Sequence, residues 1–129
     1  MQNITDKTHI GINVRNTDIP FADLIVDGIK TIETRDKPSL SSYVGKRVAI
    51  VRTGAGVAKA IGEATIVAVE HVKDSEAFRQ LEGKHYVPEG NVFDIKEGGK
   101  YLYYIKDAVR WAVPKSVGHG IISRAVFTS

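Results

Sequence analysis

The chain has 129 residues, of which 43% are hydrophobic and 26% are charged, with a formal net charge of +3. This length and balance predict one globular domain spanning residues 1–129 and exclude a disordered or fibrous protein. The absence of cysteine excludes disulfides and a cysteine nucleophile and favours a cytoplasmic location. No stretch approaches the ~18 apolar residues of a membrane span, so no membrane association is expected.

Alternating apolar and β-branched residues predict six strands along the chain. The first is the clearest, because Ile10, Ile12 and Val14 recur at period two, as on a half-buried strand. The third and fourth strands are expected to pair through a hairpin at residues 53–56. In chain order, the predicted strands span residues 9–15, 30–35, 48–51, 60–72, 101–113 and 121–127.

Two short helices are predicted between these strands. Residues 20–27 begin at Pro20, which suits a first helical turn, and the pattern stops at Gly28. Residues 74–81 carry acidic side chains in the first turn and Gly83 behind them. Six strands with two or more short helices predict an α+β fold with a mixed, barrel-like sheet.

The segment at residues 28–35, Gly-Ile-Lys-Thr-Ile-Glu-Thr-Arg, concentrates side chains with binding chemistry. On a regular strand Lys30 and Glu33 face opposite ways, so they share a site only if Lys30 lies in an irregular junction after the glycine. Lys30 would then contact a phosphate or carbonyl, Arg35 a phosphate or planar base, and Glu33 a base amino group or a metal. The alternative is a Glu33–Arg35 ion pair that only organises the sheet.

Positive charge is unevenly distributed along the chain. Residues 30–59 hold seven basic side chains against two acidic ones, whereas residues 60–99 hold eight acidic against four basic. If the basic stretch forms one face, it would attract phosphates. Scattered, solvated side chains are the alternative explanation.

Other reactive or aromatic residues give weaker indications. His71, His85 and His119 lack the spacing of metal ligands, so no metal site is predicted, and exposed loop positions are expected for His85 and His119. No serine lies in a nucleophile-elbow motif. The aromatic residues near Lys100 would either stack on bases or pack in the core; they are Tyr101, Tyr103, Tyr104 and Trp111. A core position is favoured for at least Tyr101 and Tyr103.

Taken together, several segments resemble the ASCH domain in order and spacing. The matching elements are its first strand, its helix, the G-x-K-x-x-E-x-R motif and the next strand, which correspond to residues 12–15, 20–25, 28–35 and 45–50. Weaker similarity extends to residues 60–64 and 113–118. The resemblance implies a PUA-like mixed β-barrel with its ligand cleft beside the first helix and the motif strand.

This resemblance implies binding of RNA, another single-stranded nucleic acid or a modified base. The implied ligand-binding residues are Phe21, Lys30, Thr31, Glu33 and Arg35. Family members also include ribonucleases and an acetylcytidine amidohydrolase, so hydrolysis with Lys30 and Glu33 as catalytic residues is the alternative. No cofactor is implied, except a divalent metal ion for a ribonuclease.

Two positions depart from the family pattern. Many members carry tryptophan where this chain has Phe21, and the small bacterial acetylcytidine amidohydrolases carry threonine at the position of Glu33. An aromatic ring is retained at the first position, so packing or base stacking is compatible with the change. The sequence leaves binding and catalysis both open.

Overall fold

Six strands form one sheet in the computed structural model, which describes residues 10–127. They are β1 (Ile10–Arg15), β2 (Ile32–Arg35), β3 (Arg47–Thr53), β4 (Lys59–Val72), β5 (Lys100–Lys115) and β6 (Ser123–Ala125). Their order across the sheet is β2-β5-β4-β3-β1-β6. β1 and β3 are parallel, and the other neighbouring pairs are antiparallel. The six predicted strands are confirmed, although His9, the first residue of the predicted β1, lies outside the described residues.

Short helices connect the strands. They are α1 (Phe21–Val26), α2 (Ser75–Gln80) and α3 (Glu82–His85), with one 3₁₀ turn at Ser41–Tyr43. The Asp74 carboxylate caps α2 by accepting from the N–H of Glu76, and α3 ends at Tyr86 in a left-handed conformation with φ of 63°. The two predicted helices are confirmed, and α3 was not predicted. None of the helices described within residues 10–127 is long and apolar enough to cross a bilayer.

The sheet does not close, so the predicted barrel is wrong. Among residues 10–127, β2 pairs only with β5 and β6 pairs only with β1, which leaves a seam between β2 and the β1–β6 edge. Register shifts along β4 and β5 bend the sheet and bring its edges towards each other. β2 is four residues long and β6 three, and the seam between the two edges is bridged by the side chain of Arg35, which donates to the backbone carbonyl of Asn13.

The main core lies between α1 and one face of the sheet. Phe21 and Ile25 of α1 are buried, as predicted for the inner face of this helix, and Leu24 is half-buried. Tyr103 is fully buried, and its hydroxyl contacts Leu40 N and Ser41 Oγ. A smaller cluster includes the alternate residues of β3 and therefore lies on its other face; it comprises Ala49, Val51, Ala60, Trp111 and Val126.

Gly62 of β4 lies in close contact with α1 and with β5. A Cβ atom added at this position would stand 2.2 Å from the carbonyl oxygen of Val109 and 2.6 Å from Cγ1 of Val26. A Cβ atom therefore fits only if the backbone of β5 or the helix that carries Val26 moves away. Glycine is therefore required for α1 to pack against the sheet.

We expect Gly62→Ala to lower the free energy of unfolding by about 1–3 kcal/mol, because the added methyl group overpacks the contact between α1 and β4. Gly83→Ala, at an exposed position of α3, is the matched control, since an added Cβ there meets nothing within 4 Å. The control should be neutral or stabilising by up to about 1 kcal/mol. Urea denaturation of both variants measures the difference, and equal stability of Gly62→Ala and wild type would contradict the close packing.

Candidate functional site

A cavity of about 450 Å³ lies at the seam between β1 and β2. Its basic side chains outnumber its carboxylates; the former are Arg15, Lys30, Arg35, Lys100 and Arg124, and the latter are Glu33 and Asp36. The volume falls within the ~300–1,000 Å³ typical of small-molecule sites. Its size and net positive charge suit an anionic ligand about as large as a nucleotide.

Most of the predicted ligand-binding residues are brought together here. Phe21, Lys30, Glu33 and Arg35 line the cavity, whereas Thr31 does not. The Thr31 N–H donates to the carbonyl of Lys84, and its carbonyl accepts from the N–H of Ile105. The backbone of Thr31 therefore joins α3 to β5, and the predicted ligand contact of Thr31 stays a prediction.

Lys30 lies in the irregular junction before β2, as predicted, but its side chain is only 1% exposed. Its Nζ donates to the carbonyls of Ile32 (2.7 Å) and His85 (2.5 Å) and lies 3.5 Å from Glu33 Oε1. These three acceptors match the three N–H groups of an ammonium. Burial lowers the pKa of Lys30, and the neighbouring Glu33 carboxylate opposes that shift. Lys30 is thus an anchored side chain within the cavity wall.

Glu33 and Arg35 form the ion pair that the sequence offered as an alternative. Arg35 Nε lies 3.1 Å and Nη2 3.0 Å from Glu33 Oε2, and Nη2 also donates to the carbonyl of Asn13 across the seam. Nη1 makes no hydrogen bond to any of residues 10–127. The pair borders the cavity, so one amino group of a fixed guanidinium remains for a ligand.

Asn13 and Arg124 form the opposite wall and were not predicted. Asn13 Nδ2 donates to the carbonyls of Gly120 (3.0 Å) and Ile121 (2.8 Å), while its Oδ1 accepts from Arg124 Nε (2.9 Å). Arg124 Nη1 also donates to the carbonyl of Gly118. The available sequence signal was an amide side chain on the face of the first strand opposite its apolar residues Ile10, Ile12 and Val14.

An aromatic wall completes the cavity. The rings of Phe21 and Phe93 meet edge to face, with centroids 5.8 Å apart. The loop that carries Phe93 is fixed by Asp94, which accepts from Arg79 Nη2 (2.5 Å) and from the N–H of Gly90 (2.8 Å). Phe93 lies in a loop, where no hydrophobic period in the sequence indicates a buried or site residue.

His85 is buried, which overturns the expectation of an exposed loop position, whereas His119 is exposed as expected. The His85 ring stacks on Phe78 with centroids 4.0 Å apart. Its Nδ1 accepts from the N–H of Val87, so its Nε2–H donates to the carbonyl of Phe78. Burial lowers the pKa of His85, although the bond to Phe78 opposes the shift. The ring is therefore held neutral while its backbone carbonyl holds Lys30.

The basic stretch at residues 30–59 does not form one face. Arg47 pairs with Glu63 at 2.9 Å and Arg52 with Asp23 at 3.5 Å, away from the cavity. The five basic side chains of the cavity come instead from β1, β2, β5, β6 and the junction before β2. Within residues 10–127, no three His, Asp or Glu side chains converge on a position that would hold a metal ion.

Comparisons with known proteins agree on one family. The model of the ASCH domain matches residues 16–115. No curated protein matches the chain. Similar solved structures include an ASCH protein from Zymomonas mobilis, with a TM-score of 0.63 and 20% identity over 78% of this chain and 68% of that chain. The structure of its serine-to-alanine variant matches with a TM-score of 0.65 and 22% identity, over 86% of this chain and 75% of that chain. At these identities the likeness shows the fold alone.

We expect the free energy of unfolding to fall as the pH is lowered below the ordinary His85 value of 6.5, because the unfolded chain then binds a proton that the folded chain excludes. The loss should approach about 1.4 kcal/mol per pH unit until the lowered folded pKa is reached. Urea denaturation between about pH 7.5 and about pH 5.5 measures it. Nitrogen NMR assigns the effect to His85, and a His85 ring that titrates at its ordinary value would contradict the prediction.

Proposed function

The chain belongs to the ASCH domain family, and we propose that the cavity at its seam binds an unpaired RNA base together with the adjoining phosphate. The observation that carries the proposal is the Arg35 guanidinium, which is held in place on one edge and unpaired at Nη1 inside a basic cavity. The family resemblance, which implies RNA or modified-base binding, supports the same ligand class.

The cavity walls suit the two chemical parts of a nucleotide. The half-buried Phe93, packed on the buried Phe21 ring, supplies apolar aromatic surface on one side, and Arg15, Arg35 and Arg124 supply positive charge near the seam. Unpaired RNA bases are recognised by stacking on aromatic or guanidinium planes and by hydrogen bonds to their edges. A paired base inside a helix would not reach these walls, so the ligand is single-stranded or extruded.

Arg35 is the residue best placed to contact the ligand. Because Glu33 and the Asn13 carbonyl already fix the guanidinium, little side-chain entropy is lost when Nη1 binds a phosphate or base edge. Lys30 has a different role from the predicted direct contact. Its ammonium group is satisfied by protein acceptors, so it holds Glu33 beside Arg35 and adds positive charge to the wall.

We expect Arg35→Ala to weaken RNA binding by about 1.5–3 kcal/mol, the range for a hydrogen bond that involves a charged group. If Nη1 contacts a phosphate, the slope of log affinity against log salt should also fall by about 1. Fluorescence anisotropy with labelled single-stranded RNA at two salt concentrations measures both effects. Lys46→Ala is the control, since Lys46 is exposed and lines no part of this cavity. RNA binding that is absent in wild type, or equally strong in Arg35→Ala, would refute the proposal.

A second candidate function is hydrolysis of RNA or of a modified nucleoside in the same cavity. The favouring observation is the contact between Glu33 Oε1 and the buried Lys30 Nζ at the cavity wall. Glu33 would act as general base towards a water molecule, and Lys30 would stabilise developing negative charge. The two carbonyl partners of Lys30 favour its ammonium form, so an electrostatic role suits it better than attack on the substrate.

If the chain is a hydrolase, Glu33→Gln should reduce turnover by about 10²–10⁴-fold while ligand binding persists, because the amide keeps the shape but cannot accept a proton. Incubation with RNA, with and without magnesium or manganese, and separately with acetylated cytidine, followed by product analysis, measures turnover. Lys30→Ala is a poor test, since removing a buried ammonium orphans two carbonyls and destabilises the fold. If wild type consumes nothing, hydrolysis is refuted and the binding proposal stands.

A further inference from the structure

A second cavity, of about 490 Å³, lies beside the first and shares Asp36 with it. Its lining includes the rings of His71 and Tyr101 and the side chains of Lys37 and Lys96. None of the residues proposed above to bind the RNA base and phosphate lines this cavity. It is therefore a separate recess, and its lining begins at Asp36, the residue that follows Arg35 in the chain.

Strand register places the two cavities on the same face of the sheet. Tyr101 of β5 pairs directly with Arg35 of β2 on one side and with His71 of β4 on the other. Directly opposed residues on neighbouring strands project from the same face. Arg35, Tyr101 and His71 thus form a row that runs from the first cavity into the second.

The two rings of the second cavity are stacked and held in place. Their centroids are 4.1 Å apart and their planes differ by 2°. His71 Nε2 donates to the carbonyl of Gly98 at 2.9 Å, which fixes the ring orientation. Gly99, with φ of +84°, allows this approach, because a Cβ there would stand 3.1 Å from His71 Nε2 and 2.4 Å from the carbonyl of Val72. His71 is exposed, whereas Tyr101 is half-buried.

The charge at Asp36, which the two cavities share, is compatible with a phosphate group that lies between them. Asp36 is paired with the buried Lys100 at 2.7 Å, and the hydrogen bond from Lys100 lowers the pKa of Asp36. Its negative charge is thereby offset within the protein. Lys37 and Lys96 are both exposed at the second cavity and face one further carboxylate, that of Glu97.

We propose that the second cavity binds the nucleotide next to the one in the first cavity, with its base stacked on the exposed His71 ring and its phosphate near Lys37 and Lys96. This inference rests on the proposed function of the first cavity. It makes the ligand a single-stranded oligonucleotide rather than a free nucleoside, because each recess then holds a nucleotide of its own. Stacking of this kind tolerates any base, since every base has an aromatic face.

The test compares ligands of two lengths, namely nucleoside monophosphates and RNA homopolymer tetramers, by isothermal titration calorimetry. We expect His71→Ala and Tyr101→Ala to weaken tetramer binding by roughly 5- to 150-fold and to leave monophosphate binding unchanged. His71→Phe keeps a stacked ring and should restore tetramer binding, which a merely structural role for the Gly98 hydrogen bond would not do. Tyr104→Ala is the matched control, because Tyr104 lies on the same strand, bonds to Glu70 and lines neither cavity.

The outcomes separate this inference from the proposed function. If tetramers bind and require Arg35, but His71→Ala binds them like wild type, the second subsite is refuted and the first stands. Equal affinity of wild type for monophosphates and tetramers would refute it as well. If neither ligand binds wild type, both proposals fall. Circular dichroism of each variant shows whether a loss of binding reflects loss of the fold.

Discussion

The arrangement of the cavity depends on the buried ammonium group of Lys30. A charge removed from water is costly unless it is hydrogen-bonded, and here the acceptors come from β2, from the end of α3 and from Glu33. The last carbonyls of a helix have no partner within the helix, so Lys30 and the N–H of Thr31 also satisfy α3. One side chain therefore couples the motif strand, α3 and the carboxylate that faces the ligand.

From Lys30 a continuous series of polar contacts crosses the open seam. Lys30 meets Glu33, Glu33 pairs with Arg35, and Arg35 donates to the backbone of Asn13. Asn13 accepts in turn from Arg124 of β6. Each member is oriented by its neighbour, which fixes the ligand-facing groups across a seam that is bridged by side chains. The second cavity continues this face through Tyr101, the strand partner of Arg35.

The sequence predicted the parts of this molecule that depend on local pattern. Period-two alternation, β-branched residues and apolar runs located the six strands, and proline and glycine bounded α1. The four-residue helix α3 is too short to carry a hydrophobic period, so it was missed. Whether the sheet closes depends on where its two edge strands lie relative to each other in three dimensions, which no local sequence signal states. The same holds for the site, of which the local motif identified Lys30, Glu33 and Arg35. Their surroundings come from distant parts of the chain: His85, which binds Lys30, is 55 residues away from it, and Arg124, which binds Asn13, is 111 residues away.

The open seam has a consequence for how related chains would come to prefer different ligands. In a closed ladder, neighbouring strands are held about 4.8 Å apart by their backbone hydrogen bonds, whatever their side chains. Across this seam Arg35 Nη2 bonds to the backbone carbonyl of Asn13, so the spacing there depends on the length of the side chain at position 35. Substitution at this position would widen or narrow the recess while every strand pair keeps its register. Ligand preference would then change through a side chain on which no pairing of strands depends.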